Sequence, residues 1–108
     1  MDSDDRTFKI HIPVEEEIHD LTEFFKTFGD ATRLRILFQL LQGEQHVQMI
    51  TDALGLKQAA ISHQLSTLRL LRLVSYRKEG HRVYYHLNDQ HISDILEIGM
   101  EHVREVQR

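Results

Sequence analysis

The chain has no cysteine and no tryptophan, one proline and five glycines among its 108 residues. The missing cysteines exclude disulfides, thiolate metal sites and thiol redox sensing. So little proline and glycine leaves no room for a long linker, and the length suits one domain around one modest core. No apolar run approaches the roughly 20 residues that span a bilayer, and no signal peptide opens the chain. The expectation is a cytoplasmic protein with no membrane partner. A His-Glu-x-x-His motif, a glycine-rich phosphate loop and a cysteine nucleophile are also missing. They leave the expectation of no enzyme and no small organic substrate.

Positive charge is scarce overall, with a net charge of −4, but it is unevenly spread. Residues 1–30 carry three cations against nine acids. Residues 57–86 reverse the sign, with Lys57, Arg69, Arg72, Arg77, Lys78 and Arg82 against Glu79 alone. A protein that grips phosphates needs a local basic surface, not a basic total. The bland alternative for the same residues is a solvated charged face.

Periodicity supplies the architecture. Pro13 suits a first helical turn, and Val14, Ile18, Leu21, Phe25 and Phe28 then recur at helical spacing until Gly29. Asp30 is an N-cap for a second helix with Leu34, Leu37, Phe38 and Leu41 on its inner face, closed by Gly43. A short helix from about His46 to Leu54 ends at Gly55. Another runs from about Gln58 to Leu71 with Ile61, Leu65 and Leu68 inward. Val74–Lys78 and Arg82–Leu87 are rich in β-branched and aromatic residues and flank Glu79-Gly80-His81, the pattern of a hairpin. Asn88 is the cap candidate for a last helix, about Asp89 to Val106, with Ile92, Ile95, Leu96, Gly99 and Val103 apolar.

The expected fold is therefore mainly α (α+β): a winged helix-turn-helix of about five helices and a two-stranded wing. One domain spans 1–108, with a partly disordered arm at 1–12, helices at 14–28 and 89–106, the helix-turn-helix at 46–71 and the wing at 74–87. The second helix of such a pair fits the major groove of double-stranded DNA. Gln58, Ala59, Ser62 and His63 face outward near its start, where Gln can pair with adenine and the Ala methyl can touch thymine. Lys57 stands beside them. Arg77, Lys78 and Arg82 at the wing suit phosphates, although charges on a hairpin also discourage strand-to-strand aggregation.

The last helix carries a second signal, Asp89-x-His91 and, ten residues on, His102-x-x-Glu105. Two imidazoles and two carboxylates suit zinc. Eleven residues of α-helix turn through about 1100° and rise about 16 Å, so both His point the same way but lie too far apart for one ion, whose bonds to His nitrogen are about 2 Å. Two antiparallel copies of the helix would close the set, twice per two-fold dimer. The spacing argues for Zn(II), two per dimer, and for a homodimer. A helix-dipole role is the alternative for Asp89 alone. A zinc hydrolase built on the same His and carboxylate groups is a rival, but both carboxylates would be spent as ligands. A protein-interaction module on the same scaffold is another.

Phe28-Gly29-Asp30-Ala31-Thr32-Arg33-Leu34-Arg35-Ile36-Leu37 resembles the opening of the ArsR/SmtB family of metal-responsive repressors. Leu54 to Gln58, Ile61-Ser62-His63-Gln64-Leu65 and Leu73-Val74 resemble its recognition helix, and Gly80 to Tyr85 its wing. The likeness covers about residues 20–106. It implies a homodimer built on the first and last helices, whose metal-free form binds palindromic operator DNA and represses transcription. Metal binding would lower DNA affinity and derepress metal-homeostasis genes. In the zinc-sensing branch the last helix carries ligands that here fall on Asp89, His91, His102 and Glu105. The family further implies the main chain around Arg72 as partner of the His102 ring. Cobalt or nickel sensing, or none, is the alternative. The Cys-x-Cys of the arsenic-, lead- and cadmium-sensing members is replaced by a stretch in which His46 takes one Cys position, with His11 a conceivable companion. Lys57 replaces the usual Ser cap, worth about 1 kcal/mol.

Overall fold

The computed structural model describes residues 11–106. The chain runs α1 (Glu15–Thr27), α2 (Ala31–Leu40), β1 (Gln45–His46), α3 (Val47–Leu54), α4 (Gln58–Leu70), β2 (Val74–Glu79), β3 (Arg82–Leu87) and α5 (Gln90–Val106). Residues 1–10 of the expected N-terminal arm lie outside the described residues.

Local chemistry sets the boundaries. The Val14 N–H donates to Glu17 Oε1 at 3.1 Å and opens α1, so Pro13 precedes the cap instead of sitting in the first turn. Asp30 Oδ2 accepts the Arg33 N–H at 2.9 Å and caps α2. Gly55 ends α3 with φ +68°, a left-handed conformation that costs glycine nothing. Arg72 takes the same conformation after α4, with φ +64°. The Leu73 N–H there reaches back to the Leu68 carbonyl at 2.9 Å, the six-to-one bond of a left-handed helix end.

The cap of α5 is a correction. Asp89, not Asn88, precedes the helix, and its Oδ1 accepts the His91 N–H at 2.9 Å. Asn88 belongs to the sheet end: its N–H donates to the Leu73 carbonyl at 2.9 Å, and its side chain meets the Ser75 hydroxyl. The hairpin's register thus extends one residue further than its hydrophobic pattern.

The sheet has the order β1-β3-β2, all antiparallel. β1 is an addition to the expected hairpin. It pairs Gln45 with Tyr85 and His46 with Tyr84, which moves His46 from the start of α3 to its cap position.

Ile36, Leu37, Leu40, Ile50, Ile61, Leu65, Leu68, Leu73, Val74, Ile92 and Leu96 form one buried cluster. Each fully buried aliphatic side chain contributes about 1.5–3 kcal/mol, so this cluster fixes α4 and the wing relative to α2 and α3. The expected inner face of α2 is displaced: Ile36, Leu37 and Leu40 are fully buried, while Leu34, Phe38 and Leu41 are only partly so. The helix has apolar residues on more than one side, and Leu34 and Phe38 line a separate groove.

That groove, of about 250 Å³, lies between α1, α2 and α5, with Phe25, Phe28, Met100 and Val103 on its walls. Phe25 is 53% exposed and Ile98 66%. The radius of gyration is 16.7 Å, against about 13 Å for a compact chain of this length. Parts of the apolar faces of α1 and α5, among them Phe25, Ile98 and Val103, therefore stay exposed within one chain.

Candidate nucleic-acid interface and metal-ligating helix

α3, the turn at Gly55 and α4 form the helix-turn-helix, and β2–β3 the wing. Burying Ile61, Leu65 and Leu68 turns the opposite face of α4 outward, at the 3.6-residue period. Lys57, Gln58, Ala59 and His63 are exposed there, and Ser62 is partly buried. Lys57 occupies the N-cap position without a side-chain cap bond. The first N–H groups of α4 thus stay open beside a cation, which suits an anion at that helix end.

The wing turns through Gly80 and His81, since Glu79 pairs with Arg82. Gly80 takes φ +62° at the first turn position, as a two-residue hairpin demands. The cations expected to meet phosphate differ in their freedom. Arg77 donates from Nε to both oxygens of Glu44, at 2.9 and 3.0 Å. It also pairs with Glu79 and lies 4.8 Å over the Tyr84 ring. Its hydrogen bond holds the Glu44 carboxyl below the ordinary carboxylate range, and the two carboxylates raise Arg77 in turn. Arg82 approaches His46 Nε2 at 3.0 Å. Arg69 of α4 covers the Tyr76 ring at 4.8 Å, joining the helix to the wing. Lys78 and His81 are exposed at the tip. The sequence reading considers His46 only as a metal ligand and does not connect Glu44, His46 or Tyr84 with the wing arginines; the signal that could have found them is a Glu-x-His ahead of a helix.

The candidate metal ligands lie in two pairs, Asp89 and His91 at the start of α5 and His102 and Glu105 near its end. At its start, Asp89 Oδ1 is 3.3 Å from His91 Nδ1, with the imidazole 89% exposed. Asp89 spends one lone pair on the helix cap and keeps its second oxygen for another partner. His102 and Glu105 are exposed about three turns later. Among the described residues, no group of three or more His, Asp or Glu comes together within the chain. The donor chemistry fits zinc in two halves: one imidazole and one carboxylate at each end of the helix. Arg72, expected near the His102 ring, ends α4 in its left-handed conformation.

His46 does not stand ready for a second metal site. Its Nδ1 faces the Met49 N–H at 3.4 Å and its Nε2 faces Arg82. Among the described residues, no helix is long and apolar enough to cross a membrane.

Residues 30–76 match the family model described as "Bacterial regulatory protein, arsR family". The chain is 36% identical over 90 residues to the "Transcriptional repressor SmtB homolog" of Synechocystis sp., covering 83% of this chain and 68% of that protein. It is 39% identical over 88 residues to the "Cadmium resistance transcriptional regulatory protein CadC homolog" of Staphylococcus aureus, covering 81% and 73%. Its fold is similar to the solution structure of a homodimeric winged helix-turn-helix DNA-binding domain from Mycobacterium bovis, described as a possible ArsR-family regulator. The TM-score is 0.78 at 25% identity, over 89% of this chain and 92% of that one.

Proposed function

Because this chain belongs to the bacterial arsR family of transcriptional regulators, we propose that it is a zinc-responsive transcriptional repressor that works as a homodimer. In this reading the metal-free dimer holds operator DNA, and zinc shared between the two α5 helices lowers that affinity. The family is one of regulators, not of enzymes.

The observation that carries the zinc assignment is the pair of donor sets on α5. Asp89 and His91 stand outward and 3.3 Å apart at one end, with His102 and Glu105 exposed on later turns. Antiparallel pairing of two such helices unites one chain's first pair with its partner's second. The uncovered apolar groove between α1, α2 and α5 supports a dimer on that side, since an exposed apolar patch of this kind marks an interaction face. A homodimeric relative of similar fold supports it independently. Zinc, when bound, supplies a tetrahedral centre that holds its four ligands at fixed spacing. The chain's own residues then convert spacing into affinity. Ile92 and Leu96 root α5 in the same core as Ile61 and Leu65 of α4, so a shift of one α5 against the other moves the two reading helices. A hundredfold loss of DNA affinity needs a coupling of about 2.7 kcal/mol, and DNA must weaken zinc by the same factor.

On the DNA side, Gln58, Ala59, Ser62 and His63 face the base edges, while Lys57, Lys78 and Arg82 serve phosphates. Arg77, already neutralised by two carboxylates, contributes to the wing's shape more than to its charge. With no cysteine this chain lacks the soft thiolate site that metals such as the cadmium in one relative's description favour, which supports zinc in this reading.

The test is zinc titration by calorimetry into metal-free protein, with and without a duplex enriched by that protein from a random-sequence library. Two zinc ions per dimer and release of the duplex are expected. His102→Ala should abolish stoichiometric zinc uptake and keep DNA binding. Zinc-dependent release that survives His91→Ala and His102→Ala would transfer sensing to another site.

A further inference from the structure

In β1 the neighbours Gln45 and His46 face opposite sides, as successive strand residues do, and Glu44 immediately precedes them. Gln45 turns inward. It is buried, accepts from Gln39 Nε2 at 3.1 Å and donates to the Gln39 carbonyl at 3.3 Å. Glu44 and His46 both reach the wing, the first at Arg77 and the second at Arg82.

There the sheet register assembles one row. His46 of β1 lies opposite Tyr84 of β3, which lies opposite Arg77 of β2, and directly opposed residues share a face. The His46 ring meets the Tyr84 ring edge-on with centroids 5.5 Å apart, and Arg77 covers Tyr84 at 4.8 Å. Glu44 closes one end of the row through its forked contacts to Arg77, and His46 closes the other by holding Arg82. A guanidinium only donates, so the 3.0 Å approach of Arg82 to Nε2 requires a bare nitrogen there and the ring proton on Nδ1. His46 can hold Arg82 or accept the Met49 N–H, but not both at once. The shorter contact is the one to Arg82.

We propose that Glu44 and His46 are positioning residues for DNA binding, forming a clasp that fixes the wing before DNA arrives. This rests on the DNA-binding reading above. Isolated surface ion pairs count for little, and a forked arginine–carboxylate pair within a network is the exception. The clasp also predicts a sign opposite to simple charge attraction. Glu44→Arg removes one negative charge and adds one positive charge beside the wing, which by counterion release alone would tighten DNA binding. If the clasp positions the wing, the same change weakens it.

The experiment compares unmodified protein with Glu44→Arg, Arg77→Glu, the double exchange, and the milder Glu44→Gln. Each is measured on the duplex enriched by the unmodified protein and by amide hydrogen exchange of residues 74–87 without DNA. Unchanged exchange at Ile61, Leu65 and Leu68 verifies the fold in each variant. Glu44→Arg is expected to lose about tenfold in affinity and to speed exchange in the wing. Glu44→Gln moves both readouts in the same direction by less; Arg77→Glu alone moves them at least as far as Glu44→Arg, and the double exchange recovers part of both, since it re-forms the pair but sets a carboxylate beside Glu79. Tighter DNA binding by Glu44→Arg, or unaltered wing exchange in both Glu44 variants, overturns the proposal. If the unmodified protein enriches no duplex, the DNA-binding reading fails, and the clasp is decided by hydrogen exchange and its partial recovery in the double exchange.

Discussion

Asp89→Asn separates two tasks that fall on one side chain. In the metal-free chain Asp89 Oδ1 caps α5 by accepting the His91 N–H at 2.9 Å. Asn offers an equivalent oxygen and ranks with Asp at this position, so the cap survives. What is lost is the charge beside the helix N-terminus, about 0.3–1 kcal/mol, and the 47% exposure of the side chain favours the lower figure. Asp89→Ala loses the cap as well, about 1 kcal/mol more. Ligation follows a different rule. Zinc takes oxygen from carboxylates, and even residues that only support a metal ligand are worth about 10–100-fold in affinity. Removing one of four ligands should cost about 100-fold or more, or about 2.7 kcal/mol. The assay pairs urea unfolding of metal-free protein at fixed protein concentration with zinc competition against a chromophoric chelator. The Asn variant should unfold near the wild-type midpoint and lose zinc. The Ala variant should lose both. Wild-type zinc affinity in the Asn variant would reduce Asp89 to a helix cap and refute the four-ligand site.

Three further outcomes follow from the geometry. Arg72→Gly removes a side chain from a backbone with φ +64° and should stabilise the protein by about 1 kcal/mol, read as a higher urea midpoint. Lys57→Ser supplies the missing cap of α4, worth about 1 kcal/mol, and removes one cation; the slope of log affinity against log salt should become shallower by about 0.9. Glu44, whose pKa is lowered in the fold first by the Arg77 hydrogen bond, contributes stability above its unfolded pKa and loses it as pH falls through the folded value. Unfolding midpoints measured against pH should therefore fall less steeply on the acid side in Glu44→Gln than in the wild type.

Much of the fold was legible because its signals are local. The apolar period of 58–71, the Gly55 stop and the aromatic run 82–87 each reflect constraints within a few residues, and each element lies within about two residues of its expected place. Asp30 capped α2 as its position implied. The miss at Asn88 arises because Asn and Asp are equally good caps locally, while Asn88 is drawn to the sheet end by Ser75, thirteen residues away in sequence. β1 was not legible at all. Two residues carry no period, and the strand exists because Tyr84 and Tyr85, some forty residues later, present an open edge.

The candidate sites divide along the same line. Residue type and spacing on α5 pick out the four candidate metal donors, and because helix rise is fixed whatever the surroundings, one chain cannot gather them around one ion. The order helix, turn, helix, hairpin determined the fold class and the helix face proposed to read DNA. The sequence could not assign the wing's arginines. Arg77 and Arg82 look like free cations in a basic stretch, and only three-dimensional proximity gives one to Glu44 and the other to His46. Backbone preferences act over a few residues and leave their mark in order and composition. An ion pair forms between groups that the folded backbone happens to bring within a few ångströms, and that distance is a property of the whole structure.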